Sequence, residues 1–297
     1  MKRILILSDK QAGHENQSIA LAKYLKLPYD IVEVSPKYYL SKVLSYLFDS
    51  LGIYTKSLFG LSEYANAYSL VVGTGSRTYY MVKVLSKTFD AKSITMMLPR
   101  GYKYNYDIIF AQSHDNPPKR SNIIEIPANF SYVEPQGLYL PKKPAIGIVI
   151  GGDNSVFTLS KEKLGAELDF IVKHYARYEI AITTSPRTSK EIELLVESYA
   201  FDYEVIFSKN SLNPIPDFLD QCESVFITGD STSMISEAIA YGDSNVVVLS
   251  LDSKQENKFS IFVKSLEKER YLHIFDGTIK NKNKKIDFNK YIGSLKV

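Results

Sequence analysis

Cysteine is almost absent from the 297-residue sequence, since Cys222 is the only one. A single cysteine can form neither an internal disulfide nor a cysteine-based metal site, and its scarcity fits a reducing compartment. No stretch approaches the ~20 consecutive apolar residues that a membrane-spanning helix needs. The apolar run at residues 1–7 is too short for a signal peptide. We therefore expect a cytoplasmic protein, with at most peripheral contact to the inner face of a membrane.

Charge of one sign is also scarce, because 36 Lys and Arg residues face 33 Asp and Glu residues and leave a formal net charge of +3. So small an excess does not indicate a nucleic-acid-binding protein. The sequence lacks the Asp-x-Asp, His-Glu-x-x-His and Walker A patterns, so no metal is implied. Gly73-x-Gly75 begins like a dinucleotide fingerprint, but Thr78 stands where the third glycine belongs. We therefore expect no bound cofactor, and we interpret the dehydrogenase-like Tyr79-x-x-x-Lys83 spacing as a coincidence.

What is present is an alternation of apolar strand-like runs with helical patterns along the whole chain. The predicted strands cover residues 4–7, 31–34, 69–72, 93–97, 107–111, 123–126, 145–150, 179–183, 203–207, 225–227 and 245–249. Such alternation predicts an α/β fold of parallel sheets with helices on both faces. The segment 132–144 is rich in proline and resembles a linker. We therefore predict two Rossmann-like domains, residues 1–140 and 141–297, that face a central cleft.

Polar loops follow several of the predicted strands, and ligands of open α/β sheets bind at those carboxyl ends. The first such loop carries Asp9, His14 and Glu15. An imidazole is a natural general base near neutral pH, and a neighbouring carboxylate can orient it or share the proton transfer. These three residues are the candidate catalytic set. The alternative is that His14 only caps the start of a helix.

Two loops of the second half have residues suited to a phosphate group. Gly151 and Gly152 allow backbone N–H groups to approach an anion, and Arg187 has a fork of donors. The candidate donor-binding residues in these loops are Gly152, Asp153, Asn154, Ser185 and Arg187. The alternatives are a plain turn for the glycines and a surface salt bridge for the arginine.

The stretch from Val225 to Ala238 predicts a buried strand, a tight turn at Gly229 and the first turns of a helix. Asp230 or Ser231 can cap that helix, and a helix N-terminus attracts phosphate. Glu237 lies about two turns further, within reach of a ribose. The hypothesis is that Asp230, Ser231, Thr232, Ser233 and Glu237 hold the diphosphate and ribose of an activated donor. The alternative is an ordinary capped helix.

Further polar residues follow strands of the first half. Arg77, Arg100, His114 and Asp115 are the candidate acceptor-binding residues, because they can hold hydroxyl groups or neutralise an anionic substrate. They can equally close turns. Residues 37–62 combine lysines with many Tyr, Leu and Phe residues, and an amphipathic helix there could rest on an anionic bilayer. The alternative is a helix that packs on the domain core.

Seven motifs, in this order, resemble the ELM family, which includes plant mitochondrial-fission proteins and bacterial proteins labelled predicted nucleoside-diphosphate-sugar epimerases. They are Ser8-Asp9-Lys10-x-x-Gly13-His14-Glu15-Asn16-Gln17, Pro99-Arg100 before Asp107, His114-Asp115, Ile150-Gly151-Gly152-Asp153, Thr183-Thr184-Ser185-x-Arg187-Thr188, Asn213-Pro214 and Thr228-x-Asp230-Ser231-x-Ser233-Met234-Ile235-Ser236-Glu237-Ala238. The resemblance covers about residues 1–250 and departs from the family at Gly229, where alanine is usual, and at Lys10-Gln11.

The resemblance implies a GT-B glycosyltransferase architecture, with Glu237 on the ribose, residues 231–233 near the diphosphate and His14 on the acceptor side. The predicted function is metal-independent transfer of a sugar from a nucleotide-sugar to a cell-envelope or lipid-linked acceptor. One alternative is a non-catalytic adaptor that keeps the scaffold and recruits partners. Another is a nucleotide-sugar epimerase, which would need a bound NAD that the sequence does not encode in a recognisable motif.

Overall fold

The computed structural model describes residues 2–65, 67–154, 156–251, 258–279, 282–293 and 295. The chain forms two compact units. The first unit is Met1–Tyr132 together with Asp287–Val297, and the second unit is Val133–Ile286. This division differs from the sequence-based one in two ways. The second unit begins at Val133 rather than at 141, and the last residues belong to the first unit rather than to the second.

The first unit is built on a sheet whose strands in the described residues are β1 (Ile4–Ser8), β2 (Tyr29–Pro36), β3 (Phe59–Leu61), β4 (Leu70–Gly73), β5 (Lys92–Thr95), β6 (Ile108–Gln112) and β7 (Ile123–Ile126). The strand order is β3-β2-β1-β4-β5-β6-β7, and only the short pair β2–β3 is antiparallel within this sheet. Consecutive apolar residues form the central strands because both faces of a parallel sheet are covered. Every residue of β1 is buried accordingly.

The longer helices of the first unit in the described residues are α1 (Ala12–Leu25), α2 (Ser41–Leu51) and α3 (Tyr79–Phe89). The sequence analysis placed His14 and Glu15 in the loop after the first strand, but α1 already begins at Ala12. His14 and Glu15 therefore lie in the first turns of a helix rather than in a loop. The reason is that the first residues of α1 are small or polar and therefore lack the apolar periodicity that predicts a helix.

The second unit repeats the architecture. Its strands are β8 (Ala145–Ile150), β9 (Glu179–Thr184), β10 (Tyr203–Val205), β11 (Ser224–Thr228), β12 (Asn245–Leu249) and β13 (His273–Ile274), all parallel in the order β10-β9-β8-β11-β12-β13. Its helices are α4 (Lys161–His174), α5 (Lys190–Glu197), α6 (Ile215–Gln221), α7 (Thr232–Ala240) and α8 (Lys258–Lys268). The register pairs Phe226 of β11 with Ile148 of β8 and Val247 of β12, so the middle of the sheet is apolar.

The C-terminal segment is tied to the first unit by aromatic packing. Phe288, which is fully buried, stacks on Phe130 with ring centroids 4.4 Å apart. Tyr24 of α1 packs edge-on against both rings at 6.1 and 5.9 Å. The short helix α9 (Asn289–Ile292) follows this contact. Aromatic pairs of this geometry add stabilisation beyond the burial of their area, which explains why the segment belongs to this unit.

In both sheets the direction in which the chain adds strands reverses next to the first strand. The chain runs from β1 to β2 on one side and places β4 on the other, and β8 lies in the same way between β9 and β11. At such a switch point the two neighbouring crossovers lie on opposite faces, and their loops leave a crevice beyond the carboxyl ends of the strands. The residues after β1 and β4, and those after β8 and β11, are therefore where a ligand site is expected in each unit.

Candidate functional site

The switch point of the first unit holds a histidine–carboxylate pair. His14 Nδ1 lies 3.1 Å from Oδ2 and 3.2 Å from Oδ1 of Asp9, the residue that follows β1. The Asp9 side chain is 5% exposed and that of His14 is 33% exposed. A carboxylate at this distance favours a proton on Nδ1 and leaves the lone pair on Nε2. The pair thus has the geometry of an oriented general base.

Gly75, in the loop after β4, lies against this pair. Its φ angle is +88°, and an added Cβ would lie 2.8 Å from Asp9 Oδ2 and closer still to His14 Nδ1. The backbone therefore approaches the imidazole as closely as a residue without a side chain allows. The sequence singled out this glycine only as part of an incomplete dinucleotide fingerprint. Its close contact with the His14 ring is visible only in the three-dimensional structure.

A Gly75→Ala substitution should destabilise the protein more than Gly52→Ala does. Gly52 has a similar φ of +74°, but its Cβ would meet nothing within 4 Å. Both variants bear the left-handed backbone cost of about 1–2 kcal/mol. Only Gly75→Ala adds overpacking, for which about 1–3 kcal/mol is typical. Urea unfolding would measure the difference, and equal losses in the two variants would show that Gly75 does not constrain His14.

Two pairs of polar side chains support the helix that carries His14. Gln112 at the end of β6 donates to Gln17 Oε1 at 3.3 Å and to the Met96 carbonyl at 3.2 Å. Ser18 and Thr74 share a hydrogen bond of 2.9 Å between their hydroxyl oxygens. These buried contacts join the second turn of α1 to the ends of β4 and β6. No local sequence pattern indicates them, since their partners are 56 and 95 residues apart.

The other candidates of the first unit lie at strand ends but not all in contact with His14. Glu15 is half-buried, and no hydrogen bond joins it to His14 among the described residues. Arg77 is exposed after β4. Arg100 donates to the Asp115 carboxylate at 2.8 Å and to its carbonyl at 3.1 Å, so these two form one surface ion pair. His114 precedes Asp115 in a 3₁₀ turn that follows β6.

The switch point of the second unit is organised by Asp230, whose side chain is 0% exposed. Its carboxylate accepts hydrogen bonds from Arg187 at 2.5 Å, from the Thr228 hydroxyl at 2.7 Å and from the Gly152 N–H at 3.3 Å. Thr228 in turn accepts from the Gly151 N–H at 2.7 Å. A buried carboxylate needs such partners, because an unpaired one would be far too costly. Asp230 therefore joins the ends of β8, β9 and β11.

The two glycines after β8 are explained by this packing. A Cβ on Gly151 would overlap the Asp230 carboxylate, and a Cβ on Gly152 would overlap the Arg187 carbonyl. The neighbouring side chains order the loops: Asp153 accepts from the Leu159 N–H at 2.8 Å, and Asn154 donates to the Asp230 carbonyl at 3.3 Å. Ser185 accepts from the Arg187 N–H at 3.2 Å. The close backbone approach predicted for a phosphate is thus made in this structure to protein groups.

Helix α7 begins directly after Asp230. Ser231 is its N-cap and accepts from the Met234 N–H at 3.4 Å, while Thr232 and Ser233 form the first turn and are half-buried. Of the two residues that could cap this helix, the structure therefore selects Ser231. Glu237 lies further along α7 and is half-buried, and burial raises the pKa of its carboxyl to about 7. A carboxyl that titrates near neutrality is typical of a functional position.

A small cavity of about 170 Å³ opens beside the start of α7. It is lined mainly by apolar side chains with a few polar groups: Phe157, Gly229, Val248, Ser250, Leu251, Phe259, Ser260, Val263, Lys264 and Ile274. Gly229, which lines this cavity, directly precedes Asp230 and the N-cap residue Ser231 in the sequence. Apolar walls with a few polar groups are typical of small-molecule pockets. Apart from Gly229, no motif of the sequence indicates the residues that line it.

No group of three or more His, Cys, Asp or Glu side chains that could hold a metal ion occurs among the described residues. The groups observed at the two switch points are an imidazole paired with a carboxylate, a helix N-terminus and an arginine.

The chain is similar to proteins of known structure at the level of the fold. The glycosyltransferase SnogD from Streptomyces nogalater aligns over 93% of this chain and 87% of its own, with 11% identity and a TM-score of 0.51. A UDP-GlcNAc 2-epimerase from Methanocaldococcus jannaschii, in complex with UDP-GlcNAc and UDP, aligns over 98% and 97% with 12% identity and a TM-score of 0.41. The likeness to SnogD confirms the expected glycosyltransferase-like scaffold of two Rossmann-like domains.

Similarity in sequence identifies the family. The uncharacterized protein RP120 of Rickettsia prowazekii (strain Madrid E) is 23% identical over 325 residues, which cover 93% of this chain and 91% of that protein. A family model described as mitochondrial fission ELM1 matches residues 12–291. That range includes His14 and Glu237, and it begins three residues after Asp9. The chain therefore belongs to the mitochondrial fission ELM1 family.

Proposed function

We propose that the protein is a metal-independent glycosyltransferase that moves a sugar from a nucleotide-sugar to a hydroxyl of a cell-envelope or lipid-linked acceptor. The second unit would bind the donor, and His14 of the first unit would supply the base. The observation that carries the proposal is that each unit places its polar residues at the switch point of a doubly wound sheet, where such sheets bind their ligands. The acceptor class and a cytoplasmic location follow the family resemblance and the scarcity of cysteine.

The donor would lie along the start of α7. The nucleobase would occupy the cavity beside Gly229, the diphosphate would meet the N–H groups that Ser231, Thr232 and Ser233 contribute, and the ribose would bond to Glu237. Arg187 uses one of its nitrogens on Asp230, and a guanidinium has five N–H donors, so it retains capacity for a phosphate oxygen. In this proposal Asp230 does not contact the donor, because its carboxylate is buried and bonded to protein groups; it positions Arg187 and the glycine loop.

The transfer step would be a displacement at the anomeric carbon. His14 Nε2 takes the proton of the acceptor hydroxyl while the hydroxyl oxygen forms a bond to the anomeric carbon. The bond between the carbon and the phosphate oxygen breaks, and its electron pair leaves with the nucleoside diphosphate. The N-terminus of α7 and Arg187 stabilise the charge that develops there. Asp9 holds the imidazolium, while Arg77, Arg100, His114 and Asp115 are proposed to contact the acceptor. Glu15 stays a candidate that assists the base.

A binding screen tests the donor site. We expect UDP, GDP or CMP, or one of their sugars, to raise the melting temperature of the protein in a thermal-shift assay. Glu237→Ala should weaken the binding of that nucleotide, because a ribose contact is lost. Glu191→Ala, which removes an exposed carboxylate, should leave the binding unchanged. EDTA should leave binding and turnover unchanged. If none of these nucleotides shifts the melting temperature, the transferase proposal is wrong and a non-catalytic adaptor is favoured.

Nucleotide affinity should rise with pH through the titration of Glu237. The ionised carboxylate accepts hydrogen bonds from ribose hydroxyls better than the acid, and its pKa is about 7. Its ionised fraction rises about tenfold between pH 6 and pH 8, which sets the expected gain in affinity. Isothermal titration calorimetry measures it. Glu237→Gln is the matched control, because it cannot ionise and leaves only the titration of the phosphate itself. Equal pH profiles for both proteins would remove Glu237 from the ribose contact.

The same titration should affect stability in the opposite direction. The folded pKa of Glu237 lies above that of an unfolded glutamate, so the folded state holds the proton more tightly. Between about pH 4.5 and pH 7 the unfolded state loses the proton first, and the free energy of unfolding falls as pH rises. Glu237→Gln should lack this fall, which denaturant unfolding at several pH values would show. A wild-type profile that parallels that of the variant would contradict the assignment.

A further inference from the structure

Helix α2 of the first unit exposes an apolar face. Seven of the 13 large apolar side chains that are exposed in the described part of the chain lie between residues 38 and 53. They are Tyr38, Tyr39, Leu40, Val43, Leu47, Leu51 and Ile53. Within the helix, Val43, Leu47 and Leu51 recur every fourth residue and therefore form one row. Their exposed fractions are 63%, 52% and 63%, and that of Tyr39 is 99%.

The opposite face of α2 is held against the unit by buried polar contacts. Ser41, Ser45 and Asp49 are at most 1% exposed. Ser45 shares a 2.9 Å hydrogen bond with the Tyr102 hydroxyl. Asp49 accepts from Lys83 Nζ at 2.6 Å and from the Lys103 N–H at 2.7 Å. These hydrogen bonds form only when Ser45 and Asp49 face the rest of the unit. The apolar row on the other side of the helix therefore faces outward.

The charged side chains of the segment 34–62 that are not buried have one sign. Lys37 and Lys56 are exposed and Lys42 is half-buried, while the only carboxylate between residues 34 and 62 is the buried Asp49. A basic border beside apolar side chains complements an anionic bilayer, because lysine side chains can extend to lipid headgroups while the apolar row enters the acyl boundary. No helix in the described residues is long and apolar enough to cross a membrane. Attachment through this face would thus be peripheral.

We propose that the α2 face, defined as Tyr39, Leu40, Val43, Leu47 and Leu51 with Lys37, Lys42 and Lys56, docks on an anionic lipid surface. The helix would lie parallel to the bilayer, with its row of apolar side chains inserted and its lysines at headgroup level. The sequence analysis considered this contact as one of two alternatives for residues 37–62. The helix does pack on the domain core, through Leu44, Tyr46 and Phe48. The apolar row that stays exposed is what motivates the membrane contact proposed here. The proposal does not depend on whether the protein transfers sugars.

Co-sedimentation with vesicles tests the proposal on the full chain. The protein should pellet with phosphatidylcholine vesicles that contain phosphatidylglycerol and remain in the supernatant with phosphatidylcholine alone at physiological salt. Val43→Asp combined with Leu47→Asp should weaken binding at least tenfold, because two inserted side chains are lost and two like charges are added. Leu194→Asp, at a leucine of α5 with a similar exposed fraction of 55%, is the matched control and should bind as the wild type does.

The lysines provide a second, independent readout. Lys37→Glu combined with Lys56→Glu should abolish the preference for anionic vesicles, whereas Lys173→Glu, on the exposed end of α4, should retain it. Circular dichroism melting verifies that each variant is folded. Wild-type protein that stays in the supernatant with both vesicle types overturns the proposal. So does a wild-type dimer that the Val43→Asp/Leu47→Asp variant converts to a monomer, because the face would then bind a second copy of the chain.

Discussion

Replacing His14 with alanine should lower the turnover rate by about 10²–10⁴-fold and leave nucleotide affinity unchanged, because general base catalysis contributes a factor of this size. The substrate is the nucleotide-sugar that binds most tightly in the screen, and release of the nucleoside diphosphate is measured. His174→Ala is the control, since this histidine is exposed at the end of α4. Turnover within about threefold of the wild type would remove His14 as the base.

The Asp9–His14 contact allows a second test of the proposed role of His14. Asp9→Asn keeps the shape of the side chain, but its amide N–H can donate a hydrogen bond to Nδ1, which would place the ring proton on Nε2 and so select the wrong tautomer. Its loss of turnover should approach that of His14→Ala. Residues that act as one unit are strongly non-additive, so the double variant should be no slower than His14→Ala alone. Additive losses would mean that Asp9 acts separately from the imidazole.

Replacing Asp49 with alanine should destabilise the first unit by about 3–5 kcal/mol, because it leaves the buried ammonium of Lys83 without its partner. The Lys83 side chain is only 3% exposed, and burial lowers its pKa while the hydrogen bond and charge of Asp49 raise it. Urea unfolding measures the loss. Glu191→Ala breaks an exposed ion pair with Lys161 and should cost less than about 1 kcal/mol.

The pH dependence and a double variant identify the cause of this loss. Without Asp49 the folded pKa of Lys83 falls further below its unfolded value, so between the two values the unfolded state binds more protons. The stability of Asp49→Ala should therefore rise with pH relative to the wild type. Asp49→Leu combined with Lys83→Met removes both charges and should recover more than half of the loss. A double variant as unstable as Asp49→Ala would show that packing, not the unpaired charge, causes the effect.

Local patterns in the sequence predicted the parts of the fold that depend on neighbouring residues. Consecutive apolar residues identified the buried strands such as β1 and β8, since a parallel sheet is covered on both faces. The alternation of strands and helices predicted the two Rossmann-like domains. The positions of Asp9 and His14 after β1, and of Ser231 at the start of α7, followed from where those strands end. All of these depend on the order of residues within about 15 positions.

Contacts between distant residues decided the rest. Gly75 lies behind His14, Asp230 joins the Gly151–Gly152 loop to Arg187, and Asp49 binds Lys83, across 61, 78 or 34 residues of chain. No local pattern encodes which loops a crossover will bring together. The return of Phe288 to the first unit is of the same kind.

The rotation of α2 shows this difference most clearly. Its sequence determined that the helix is amphipathic, because apolar residues recur every three or four positions. It did not determine which face would be buried. That was decided by Lys83, Tyr102 and the Lys103 N–H, which offer buried hydrogen-bond partners to the polar face. A buried polar group without a partner is costly, so satisfying these groups outweighed covering the apolar row.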